Sequence, residues 1–245
     1  MNFRLVIVLS LLCIISPAKA EDLSVFTDEW APYNFQENGL ITGISTDIVK
    51  KTLQSAGFNY SIKILPWKRG LATTQRTPLS LMYTVARTNE REDLFKWVGP
   101  ILNGRVYLYK LKKRTDISIN SAEDIQRYKS AVLRGGAVQS YLQELGISPD
   151  HYVQVSYSDQ LIPMLYANRV ELIPGDELDL MYQIKQMDFK ISNIETAFLL
   201  YQRDYYLALN KDTPDDIVNR LQLALDKLIN TGERDQIIRN YIATE

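Results

Sequence analysis

A few short stretches of this chain carry residue types that can do chemistry together. Thr84-Val85-Ala86-Arg87-Thr88-Asn89-Glu90-Arg91 follows an apolar run and sets two arginines four apart. At the C-terminal edge of a parallel sheet, such an arginine clamps a carboxylate bidentately, and the Thr84 hydroxyl and backbone N–H groups complete the cradle. The same residues also read as a solvated charged turn in which Glu90 and Glu92 neutralise the arginines. Leu133-Arg134-Gly135-Gly136-Ala137 reads as strand, turn and helix start. There the amides near Gly136 and Ala137 face an anion, or the glycines merely make a tight turn. Pro174-Gly175-Asp176-Glu177 places an acid where a strand gives way to a helix. Asp176 either accepts from an ammonium or caps its helix, and with Glu177 it also suggests an acid–base pair. Trp30, Pro32, Tyr33 and Phe35 form one aromatic loop, and Pro66-Trp67-Lys68-Arg69 another. Exposed aromatic loops stack on flat or cationic ligands, whereas buried ones are core.

Composition removes most other chemistry. The 245 residues hold 28 Lys+Arg against 29 Asp+Glu, one Cys and one His. A near-neutral balance lacks the basic surplus that non-specific nucleic-acid binding needs. One Cys forms no internal disulfide or multi-thiolate zinc site, and His151 has no ligand partner at useful spacing. No nucleophile elbow, zinc-ligand set or phosphate loop is present. No cofactor, metal or catalytic residue is therefore expected.

The elements that must position these residues alternate between strand and helix. Residues 1–4 are basic, 5–15 apolar, and Ala18-Lys19-Ala20 is a small-x-small site, the layout of a secretory signal peptide cleaved after Ala20. Cys13, inside that run, leaves with it. The mature chain then has 225 residues, 26 basic against 29 acidic, and a net charge of −3. Beyond residue 21 the pattern predicts strands at 23–27, 59–65, 79–85, 129–133, 152–155, 170–173 and 205–210. Helices are predicted at 44–56, 66–75, 121–128, 137–145, 159–167, 176–186, 213–229 and 233–242. This rhythm is that of an α/β chain with largely parallel sheets. The helix 213–229 lines up Ile217, Leu221, Leu225 and Leu228 on one face. No flexible linker divides the chain; Arg105–Lys112 and Phe198–Leu209 are the candidate connections between two lobes.

The order of these stretches resembles the family 3 extracellular solute-binding proteins, the periplasmic receptors for polar amino acids in ABC transport. The resemblance rests on Glu29-Trp30-Ala31-Pro32-Tyr33, Gly43-Ile44, Leu65-Pro66-Trp67-Lys68-Arg69, Arg87-Thr88-Asn89-Glu90-Arg91, Phe95-Lys96-Trp97-Val98-Gly99-Pro100 and Arg169 through Asp176. It implies a two-lobed type II periplasmic-binding-protein fold, each lobe a mostly parallel sheet flanked by helices. Residues 21–107 and 203–245 form lobe 1, residues 109–200 lobe 2, and the hinge lies around 105–112 and 198–209. It also implies a small zwitterionic ligand held in the cleft: carboxylate on Arg91, Thr84 and the amides of Gly136 and Ala137, ammonium on Asp176. Trp30, Tyr33 and Trp67 are expected against the rest of the ligand. Arg87 adds a cation that typical amino-acid receptors of the family lack, and Ala86 stands where a second Ser or Thr is usual. The implied partners are a small-molecule ligand and an ABC transporter permease, with the protein monomeric and periplasmic. A periplasmic dehydratase or lyase on the same scaffold, and a ligand-sensing module for a membrane partner, are the alternatives.

Overall fold

The computed structural model describes residues 22–134 and 137–242. The signal segment, Cys13, the Ala20 cleavage site and Gly136 lie outside the described residues. In chain order the elements are β1 (Asp22–Thr27), β2 (Phe35–Glu37), β3 (Leu40–Thr42), α1 (Ile44–Ser55), β4 (Asn59–Ile64), α2 (Trp67–Arg76) and β5 (Ser80–Ala86). There follow β6 (Phe95–Leu111), β7 (Ser130–Leu133), α3 (Ala137–Glu144), β8 (Tyr152–Val155), α4 (Leu161–Tyr166), β9 (Ile173–Asp176) and α5 (Glu177–Gln186). The last are β10 (Ile194–Asn210), α6 (Asp215–Asn230) and α7 (Glu233–Ile242). Among the described residues no helix is long and apolar enough to cross a membrane.

Six strands form one sheet in the order β4-β1-β5-β10-β6-β9. β1 pairs in parallel with β4 and β5, whereas β10 runs antiparallel to both β5 and β6, and β9 antiparallel to β6. The sheet is thus mixed rather than mostly parallel. The cause is the pair β6 and β10, 17 residues each and about 55 Å long at the usual strand rise. The chain crosses from one core to another along β6 and returns beside it along β10, so the two neighbours must be antiparallel. β7 and β8 form a parallel pair, joined to the chain before β9 by a bridge between Ser130 and Leu172.

Strand alternation sorts the apolar residues onto opposite faces. Leu23 and Val25 of β1 face α1 and α6, joining Ile48, Leu53, Leu221 and Leu225. Phe26 points the other way, onto Met82 and the helix α2 residues Trp67 and Leu71. On β6, Leu108 packs with Val132 and Leu142, while Tyr109 and Leu111 pack with Ala131, Ile162 and Ile184. The first two clusters draw on β1–β5 and on residues up to Leu102 and from Tyr205 onward; the other two draw on Val106 through Tyr201. β6 and β10 therefore pass between cores at Asn103–Arg105 and Gln202–Asp204, which pair with each other. Gly104 sits at this crossing, where an added Cβ would lie 2.5 Å from the Tyr205 ring. Only a residue without a side chain lets the two strands approach so closely here.

Two local departures have physical causes. Residues 170–173 were expected as a strand, yet the ladder with β6 takes Ile173–Asp176. Pro174 is tolerated in it because β9 is the edge strand of the sheet, where a missing N–H costs least. The expected helix 121–128 is a 3-10 turn, Ala122–Arg127, closed at its start by the reciprocal pair Ser121 and Asp124.

Candidate functional site

Two cavities meet where the strands cross between cores. The first, about 250 Å³, is lined by Asp28, Trp30, Trp67, Thr84, Arg91, Arg203 and Tyr205, among others. The second, about 310 Å³, lies toward α3, α4 and α5, with Asp176 and Asp179 in its wall. Trp30, Arg203 and Tyr205 belong to both. The pair is one cleft with two compartments.

Arg91 reaches the first compartment because the turn after β5 reverses the chain: Arg91 N–H donates to the Thr88 carbonyl at 2.9 Å. Its Nη1 donates to the Ala86 carbonyl at 3.0 Å, and the guanidinium lies 5.6 Å from the centre of the Trp67 ring. One edge of the fork is thereby fixed against the strand end. Thr84, buried at the end of β5, has φ +61. That is the left-handed region, costly for a β-branched residue and a common mark of binding sites. Its Oγ1 is buried and has no hydrogen-bond partner. Asp28, at the end of β1, accepts from Asn34 Nδ2 at 3.1 Å, and burial pushes its carboxyl above the ordinary range.

Asp176 ends β9 and caps α5, accepting at Oδ1 from the backbone N–H of Leu178 (3.2 Å) and Asp179 (3.4 Å). The same oxygen accepts from the Tyr33 hydroxyl. Oδ2 is buried without a partner, and the residue is 9% exposed. Burial raises the Asp176 carboxyl, against the pull of the Tyr33 hydrogen bond. Capping and ligation are thus compatible, since they use different oxygens. One turn along α5, Asp179 is pushed up to about 6, chiefly by burial, with Gln183 and Trp30 opposing through hydrogen bonds and Asp176 adding repulsion.

The expected residues divide by place. Arg91, Thr84, Trp67 and Trp30 line the first compartment, and Trp30, Ala137 and Asp176 the second. Tyr33 is a correction: it is fully buried and lines neither compartment. Its ring packs on Trp30 (4.5 Å) and Tyr205 (5.7 Å), behind the two aromatic walls. Arg87 is a second correction. Its Nε donates to Glu92 at 2.7 Å and its guanidinium lies over Trp97 and Tyr206, away from both compartments. Here the charged-turn reading of residues 84–91 holds for one arginine and fails for the other. Asp28, Asp179, Tyr201, Arg203 and Tyr205 also line the cleft and are not among the expected residues. Arg203 and its neighbours sit on the Tyr-rich connection 198–209, whose aromatic content was the available signal.

Comparisons with known proteins place the chain in a family and a fold. The family model for bacterial extracellular solute-binding proteins, family 3, matches residues 23–244. The chain belongs to that family. As a solute-binding protein of an extracellular family it is exported, to the periplasm or beyond. A relative, the probable amino-acid-binding protein YxeM of Bacillus subtilis, is 21% identical over 220 residues, 88% of this chain and 81% of that one. The unliganded open L-cystine solute receptor of Neisseria gonorrhoeae shares the fold, with TM-score 0.75, 17% identity, and 91% and 93% of the two chains covered. So does the open second substrate-binding domain of Lactococcus lactis GlnP, with TM-score 0.72, 19% identity, and 94% and 98% covered. This solute-binding protein therefore has the two-lobed type II fold.

Proposed function

We propose that the protein captures an amino acid or related zwitterion in the cleft and delivers it to an ABC transporter permease. The observation that carries this reading is the polarity of the two compartments. Arg91 and Thr84 line one, while Asp176 and Asp179 line the other, and Thr84 Oγ1 and Asp176 Oδ2 are buried without a partner. A ligand with carboxylate and ammonium a few bonds apart satisfies both, and buried charge-assisted hydrogen bonds are worth about 1.5–3 kcal/mol each. Ala137, at the start of α3, lines the second compartment together with Asp176, and Gly136 precedes it in sequence; the resemblance alone assigns their amides to the carboxylate. The related YxeM, a probable amino-acid-binding protein, supports the same ligand class.

In this reading lobe 1 comprises residues 21–107 with 203–245, lobe 2 residues 109–200, and the hinge lies around 105–112 and 198–209, next to the strand crossing at Asn103–Arg105 and Gln202–Asp204. The ligand bridges the lobes and is bound more tightly in the closed form, which draws the equilibrium toward closure. Secretion by a signal peptide cleaved after Ala20 puts a monomer in the periplasm, where its near-neutral charge gives nucleic acid no purchase.

The test is a thermal-shift panel of the twenty amino acids, opines and polyamines. At about 100 times its dissociation constant a ligand stabilises by about 2.7 kcal/mol, several degrees for this size. Arg91→Ala and Asp176→Asn are expected to abolish the shift. A zwitterion that binds both variants as tightly as wild type overturns the site.

A further inference from the structure

The second compartment is too large and too apolar to serve an ammonium alone. It measures about 310 Å³, and beyond Asp176, Asp179, Ser158 and Gln183 its wall toward α3, α4 and α5 is aliphatic, with Val138, Leu161, Ile162 and Leu180. Leu161 and Ile162, at the start of α4, are 7% and 1% exposed and belong to the lobe's core. Trp30, Tyr201 and Tyr205 close the side toward the crossing strands. Among the described residues Arg203 is the only basic side chain in this wall, and its guanidinium rests 5.3 Å from the centre of the Tyr201 ring.

Three requirements converge here. The Asp176 Oδ2 is buried with no partner, so it calls for a donor, and a carboxylate left unpaired in such a place is costly. The apolar wall calls for carbon, since a small hydrated cation would leave that surface wet. The aromatic rings suit a cation carrying alkyl groups, which they attract through their faces. If the carboxylate lies on Arg91 in the first compartment, the free volume extends past the nitrogen, not past the carboxylate.

We infer that the preferred ligand is an N-alkylated amino acid, a secondary amine whose N–H donates to Asp176 Oδ2 and whose alkyl arm fills the second compartment. This deepens the proposed zwitterion site and rests on it. Asp179 adds negative charge beside the nitrogen, and Val138, half-buried at the start of α3, limits the length of the arm.

The test compares two isomers by titration calorimetry on the chain secreted from its full-length gene: N-propylglycine and norvaline, with glycine as parent. They carry the same atoms, placed on nitrogen in one and on Cα in the other. Because each buried methylene is worth about fourfold in affinity, N-propylglycine is expected to bind at least about tenfold tighter than both glycine and norvaline. Val138→Phe, which fills the compartment, is expected to erase that advantage, so that N-propylglycine binds no tighter than norvaline. Should that variant misfold, judged by circular dichroism, the isomer comparison on the wild type still decides. Norvaline binding as tightly as N-propylglycine, or none of the three binding while another amino acid does, overturns the inference and leaves the zwitterion site standing. Failure of every amino acid to bind overturns both.

Discussion

Single residues at this site show strain or unmet bonding. Thr84 combines φ +61 with a buried, unpartnered hydroxyl. Replacing it by glycine removes both the left-handed penalty, about 1–2 kcal/mol, and the buried polar group. Thr84→Gly is therefore expected to melt no lower than wild type without ligand, while losing about tenfold in ligand affinity. A fall of several degrees in the unliganded melting temperature would show that the side chain is structural. Asp179 makes a pH-dependent case. Its carboxyl rises from 3.8 to about 6 in the folded chain, so folding favours the protonated form. The stability it contributes is full below about pH 3.8 and is lost as pH rises toward 6. Urea unfolding should accordingly find Asp179→Asn more stable than wild type at pH 7, with the gap closing by pH 4. The opposite trend would mean that a cation already compensates the carboxylate.

Among elements, the segment Trp30–Phe35 and helix α5 form the contact between lobes that needs no ligand. Besides the Tyr33–Asp176 hydrogen bond, Phe35 meets Tyr182 at 6.0 Å, and Leu178 packs on the first lobe's core. Tyr33→Phe removes the hydroxyl and leaves the Asp176 Oδ1 with backbone donors alone, a loss of about 1–3 kcal/mol. Hydrogen exchange at the Leu178 and Asp179 amides should speed up in this variant, more than at α6. Equal rates in both proteins would deny the latch. This is also the scale at which the sequence was most and least legible. Helix α6 was readable because Ile217, Leu221, Leu225 and Leu228 repeat at helical spacing, and all four are buried. β9 was misplaced because its pairing partner, not its own composition, selects which residues join the ladder. The hairpin β2–β3 was overlooked although Asn38-Gly39, both at positive φ, marks its turn. Tyr33 and Trp30 sit three residues apart in one loop, and nothing local told the buried ring from the wall of the cleft. Arg87 pairs with Glu92 whereas Arg91 folds back onto the Ala86 carbonyl and Trp67, and nothing in the spacing of the two told which would do which.

For the whole molecule, two long antiparallel strands join the two cores, and the contact of Trp30–Phe35 with α5 ties the lobes beside them. A ligand that contacts both lobes should shrink the particle, and small-angle scattering with saturating ligand is expected to give a smaller radius of gyration than the free protein. An unchanged radius would mean that the lobes are already fixed. The central claim is that one zwitterion spans the cleft, its anion on Arg91 and its cation on Asp176. The most direct measurement is calorimetric titration of the tightest-binding amino acid of the panel beside its carboxamide and its deaminated acid. Each analogue lacks one charge, and each is predicted to bind about 10- to 100-fold more weakly. If either binds within about threefold of the parent, that end of the ligand is not held as described.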